Sequence, residues 1–178
     1  MLYIYPETVE SVRKFVKRRW PNKEVYCQDK ESAWHQNRYI LITVSSLINY
    51  KVVHYEYVNS YLELHLEAEY YGNLFNQNLY KYLRSKIDTQ SGDYLWHNWY
   101  GMKQGRLRYE YKIEDLLDLT DYLIKFINKI DPLIEDFLKT YCEDNYTAKD
   151  HCLGLSDDSN EAKEVSDNIA FAGEAEDK

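Results

Sequence analysis

The sequence predicts an α+β fold: a two-layer, mainly antiparallel sheet with helices on one face, in the order α-β-β-β-β-α-β-β-α. Three observations lead there. "KVVHYEYV" (51–58) and "YLELHLEAE" (61–69) alternate between apolar and polar residues, strictly over 53–57 and 62–69, as strands do when one face meets a core. Other segments repeat their apolar residues at helical spacing. Only 6 Gly and 3 Pro interrupt 178 residues, which favours long regular elements and leaves no glycine-rich phosphate loop.

"PETVESVRKFVKRRW" opens the chain as a helix. Pro6 suits the first turn, Glu7 and Glu10 complement its positive end, and Lys17, Arg18 and Arg19 complement its negative end. Val9, Val12, Val16 and Trp20 form the apolar stripe. Strands follow at "EVYC" and at the β-branched run "RYILITVSSLI". The two alternating segments then make a hairpin around Asn59, with two registers open. A turn at Asn59-Ser60 sets Glu56 opposite Glu63 and His54 opposite His65; a turn at Val58-Asn59 sets His54 opposite Glu63. In both, Val53, Tyr55, Tyr57, Leu62, Leu64 and Leu66 share the core side, and the polar residues share a face expected to be wet.

"NLFNQNLYKYLRSKI" predicts a second helix capped by Asn73, and "YLWHNWY" and "RLRYEYKI" predict two more strands. "EDLLDLTDYLIKFINKI" begins a long helix that Asp131-Pro132 should kink or restart, because the residue before proline disfavours helical backbone. Residues 1–141 therefore read as one α+β domain. Residues 142–178 read as a mostly disordered acidic tail.

Charge supports this division. Residues 143–178 carry 11 acidic and 3 basic residues, while the 19 acidic and 19 basic residues of 1–142 cancel, so the tail holds the whole net charge of −8. A neutral body offers no general electrostatic footprint for nucleic acid. Cysteines at 27, 142 and 152 form no metal-finger or disulfide spacing, which fits a reducing compartment, with Cys27 read as a small buried hydrophobe. The N-terminus lacks the pattern of a secretory signal, and no apolar run approaches the roughly 20 residues of a membrane helix. The expectation is a soluble, cytoplasmic protein that engages no membrane and calls for no cofactor.

Three groups of side chains invite chemistry. His54, Glu56, Glu63, His65 and Glu67 fall on the polar face of the hairpin. Of these, His54, Glu63, His65 and Glu67 form the candidate metal set, since imidazole and carboxylate together suit zinc, manganese or iron. A solvated strand face yields the same alternation without any ion. Asp93, Glu110 and Lys112 resemble the minimal carboxylate and lysine pattern of PD-(D/E)xK nucleases, in which two carboxylates hold a divalent ion; a charged edge hairpin has the same look. Lys103, Arg106 and Arg108 lie near Trp96, Trp99 and Tyr100, a basic and aromatic set able to hold phosphates and stack bases. Nothing resembles an activated nucleophile.

Residues 61–138 run strand, helix, strand, strand, long helix, with Asn73 at the helix start and the pair Leu95-Trp96 at a strand start. In this they resemble the small module of unknown function that accompanies nucleases in prokaryotic restriction and defence systems. The resemblance implies an accessory or recognition role rather than catalysis. The leading expectation is accordingly a non-catalytic binding module acting through a protein partner or self-association, its 19 Tyr and 4 Trp supplying contact anchors. Beside it stand a nucleic-acid-contacting accessory and a metal-dependent enzyme using the His54/Glu63/His65/Glu67 face.

Overall fold

The computed structural model describes residues 4–28, 39–45, 48, 52–67, 74–99 and 104–144. The chain runs α1 (Pro6–Arg19), β1 (Val25–Gln28), β2 (Tyr39–Thr43), β3 (Val53–Val58), β4 (Tyr61–Glu67), α2 (Leu74–Lys86), β5 (Tyr94–Trp99), β6 (Gln104–Tyr109) and α3 (Leu116–Asp144). This is the predicted order. The strands form one sheet, β1-β2-β3-β4-β6-β5, with every neighbouring pair antiparallel. β5 lies two places from β4 and runs parallel to it, α2 being the crossover, and β6 turns back between them.

One sheet face supplies Ile40, Ile42, Tyr55, Tyr57, Leu62, Leu64, Leu66, Leu107 and Tyr109 to the core. α1 adds Val12 and Val16, α2 adds Phe75, Leu79 and Leu83, and α3 adds a stripe from Leu119 to Tyr141. Burying each large aliphatic side chain contributes about 1.5–3 kcal/mol. That is why the period-two and period-3.6 patterns dictate which sides meet.

The hairpin adopts the first of the two registers: Val58 pairs with Tyr61, Glu56 with Glu63 and His54 with His65. Its turn residues Asn59 and Ser60 both take positive φ, 51° and 71°, as a two-residue hairpin turn with the twist of its strands requires. Asparagine tolerates this backbone, whereas serine is strained in it. The Ser60 hydroxyl is also buried without a hydrogen-bond partner among the described residues. Ser60→Gly should therefore raise stability by about 1 kcal/mol; a chemical denaturation midpoint at or below wild type would contradict this.

The long helix neither restarts nor ends at Pro132: α3 is continuous over 29 residues. Leu123, Phe126, Ile127, Ile130, Ile134, Phe137 and Leu138 are all buried, so the apolar stripe passes through the proline unbroken. Packing of that stripe outweighs the one hydrogen bond that proline removes. Asp131, just before it, binds back to the sheet. Its Oδ2 lies 2.7 Å from Nζ of buried Lys23, and its Oδ1 accepts the hydroxyl of fully buried Tyr55. Lys23 also donates to the carbonyls of Thr43 and Val44. Burial pushes the lysine pKa down and the Asp131 and Tyr55 pKa values up.

Three expectations need correction or stop short. Cys27 is exposed on the edge strand β1, not buried. Cys142, Glu143 and Asp144, assigned to the tail, belong to α3, and residues 145–178 lie outside the described residues. The polar face of the central hairpin is not wet: Glu63 is 0% and His65 2% exposed, and His54 and Glu56 are buried beside them. Among the described residues no helix is long and apolar enough to cross a membrane.

Candidate metal centre on the sheet

Each side chain of this face is placed by the strand pleat. His54 and Glu56 leave β3 two residues apart on one side, and Glu63 and His65 leave β4 likewise. β6, on the other flank of β4, sets Arg108 opposite Glu63 and Arg106 opposite His65. Register alone would juxtapose like with like across the hairpin, carboxylate facing carboxylate and imidazole facing imidazole. The side chains resolve this by pairing along and diagonally between strands, each imidazole with a carboxylate.

Two groups of contacts result. In the first, Oε2 of Glu56 lies 3.3 Å from Nε2 of His54 and 3.1 Å from Nδ1 of His65. The two rings stand 5.1 Å apart. One ligand atom from each of His54, Glu56 and His65 falls within 4.8 Å of the other two, and all three residues are buried. Bonds of about 2.0–2.2 Å from a first-row metal to nitrogen or oxygen place adjacent ligand atoms about 3–3.5 Å apart, the spacing of both carboxylate–imidazole pairs. Among the described residues, the two imidazoles are the only polar partners of the buried Glu56 carboxylate.

In the second group, Oε2 of Glu63 lies 2.8 Å from Nε2 of His65. Its Oε1 accepts from Nε of Arg108 at 2.8 Å and lies 2.7 Å from the second guanidinium nitrogen. Nη1 of Arg106 adds a longer contact of 3.4 Å to Oε2. Arg108 also lies over the Tyr61 ring, 4.7 Å from its centroid. Burial alone would push the Glu63 pKa up, but the hydrogen bonds and charges of His65 and Arg108 outweigh it and hold the carboxyl at about 2.

A carboxyl at about 4.5 when unfolded and about 2 when folded stabilises the fold above pH 4.5, and the stabilisation disappears as pH falls toward 2. The linkage is worth roughly 3 kcal/mol. The stability gap between wild type and Glu63→Gln should therefore shrink steadily from pH 5 to pH 2 in urea titrations. A pH-independent gap would contradict it.

The expected site residues distribute as follows. His54 and His65 come together, and Glu56 rather than Glu63 completes the trio. Glu63 sits on the far side of His65 with both oxygens occupied. The Glu67 side chain and Lys103 lie outside the described residues. Arg106 and Arg108 turn toward Glu63, with their side chains 22% and 28% exposed. Asp93 accepts the Tyr111 hydroxyl at 2.7 Å, Glu110 lies 3.7 Å from His97, and Lys112 lies 3.7 Å from Glu114. These nuclease-like residues form no metal-holding group among the described residues, where the trio stands alone. No protein-family model, curated protein or solved structure matches this chain.

Proposed function

We propose that this protein holds a divalent first-row metal on its sheet, with His54, Glu56 and His65 as ligands. The observation that carries the reading is the convergence of their ligand atoms within 4.8 Å at a buried point. Two imidazoles and a carboxylate suit zinc, iron(II) or manganese(II), and three protein ligands leave at least one coordination position for water or a bound molecule. The strands hold the set rigidly, so little ordering entropy remains to oppose binding. The cysteine usage fits a cytoplasmic setting. The test is elemental analysis of untagged protein prepared without chelators, followed by zinc titration of the stripped protein. About one equivalent of metal is expected, lost in His54→Ala and His65→Ala variants that keep the wild-type circular dichroism. Absence of any saturable uptake by the wild type would overturn the reading.

A second reading, the accessory module acting through protein contact, draws support from a surface tyrosine group. Tyr111, 43% exposed, stacks on Tyr122 at 5.7 Å and meets Tyr109 at 4.8 Å, and Leu117 in the first turn of α3 is 78% exposed. If the contact is self-association, sedimentation should show a concentration-dependent dimer that Tyr111→Ala and Leu117→Asp abolish. A wild type that stays monomeric throughout removes self-association.

A further inference from the structure

We propose that Glu63, held by Arg108, is a positioning residue of this centre: by engaging Nε2 of His65 it makes Nδ1 the nitrogen presented to the metal. The inference rests on the metal reading above and adds to it a coordination mode and a role for two residues that are not ligands.

An imidazole has two inequivalent nitrogens, and the one that coordinates is selected by the hydrogen bond the other makes. Here the selection is built into the pleat. Glu63 and His65 are two apart on β4, so their side chains leave the same face, and Oε2 of Glu63 reaches Nε2 at 2.8 Å. Nδ1 consequently points the opposite way, toward β3, and lies 3.1 Å from the Glu56 oxygen inside the trio. Glu63 cannot swing round to become a ligand itself. Arg108 occupies its Oε1 with two guanidinium nitrogens at 2.8 and 2.7 Å, and Arg106 approaches its Oε2 at 3.4 Å. Arg108 is fixed in turn against the Tyr61 ring. The chain Arg108, Glu63, His65 thus runs from β6 across β4 and ends at the centre. A carboxylate behind a metal-bound histidine raises the basicity of the ring and fixes its orientation, and losing such a partner typically weakens metal binding by about 10–100-fold.

The experiment measures zinc affinity by competition with a chromophoric chelator, together with long-range proton–nitrogen NMR of the histidine rings. Wild type should bind zinc with His65 coordinated through Nδ1 and protonated on Nε2. The double variant Glu63→Met/Arg108→Met removes the carboxylate and its counter-charge together, leaving fewer stranded charges than Glu63→Met alone, and should bind zinc about 10–100-fold more weakly. Glu63→Gln, which keeps an acceptor oxygen for Nε2, should fall between. Should the double variant fail to fold, the near-isosteric Glu63→Gln decides alone: at least a threefold loss supports the role, and any smaller change overturns it. Variants that match wild type in affinity and in the coordinating nitrogen would make Glu63 purely structural. A wild type that takes up no zinc fails differently, since then the centre itself falls.

Discussion

Replacing Glu63 with alanine is expected to cost about 3–5 kcal/mol of folding stability. The side chain is 0% exposed and is the shared acceptor for Arg108, Arg106 and His65. Truncation leaves the buried His65 and the two part-buried guanidiniums without their shared carboxylate. Breaking a buried ion pair from one side costs far more than removing both members, because the survivor keeps its desolvation penalty without its partner. The double change Glu63→Met/Arg108→Met should therefore be markedly milder than the sum of the two single changes. Urea unfolding of wild type, Glu63→Met, Arg108→Met and the double variant measures this coupling directly, and the same titration of Glu63→Ala gives the single loss. A loss below about 1 kcal/mol in Glu63→Ala would contradict the burial of the network.

Asp131→Ala is expected to cost about 3 kcal/mol by the same logic at the other face of the sheet. Lys23 would keep the Thr43 and Val44 carbonyls, the Tyr55 ring and the more distant charge of Glu135, but would lose its ion pair, and the buried Tyr55 hydroxyl would lose its acceptor. Because Lys23 follows α1, Tyr55 belongs to β3 and Asp131 to α3, this one carboxylate joins three elements distant in sequence. Adding Lys23→Met to Asp131→Ala should recover part of the loss. A double variant as unstable as the sum of its parts would show that the pair does not act as a unit.

Much of this architecture is legible in the sequence, and the reasons for the rest are physical. Alternation in "VHYEYV" and "YLELHLE" fixes which side chains share a face. It does not reveal whether that face meets water, since the same pattern serves a solvated ladder and a buried network. The choice between His54 opposite His65 and His54 opposite Glu63 turned on one turn residue, Ser60, which takes a backbone that serine disfavours. Glu56 was visible on the polar face but not as the third member of the trio, because that depends on register. The partnership of Arg106 and Arg108 with Glu63 was least accessible. Chain order suggests β5, not β6, as the neighbour of β4, and only the crossover through α2 brings Arg-x-Arg alongside Glu-x-His. At Pro132 the opposite holds, a local rule giving way to the packing of a long apolar stripe.

The most direct test of the proposed centre is zinc-edge X-ray absorption on protein loaded with one equivalent of zinc. A shell of nitrogen and oxygen neighbours at about 2.0–2.1 Å, with the multiple scattering of two imidazole rings, is the result expected of His54, Glu56 and His65. A sulfur neighbour at about 2.3 Å, or a shell without imidazole scattering, would place the metal elsewhere in the chain and contradict it.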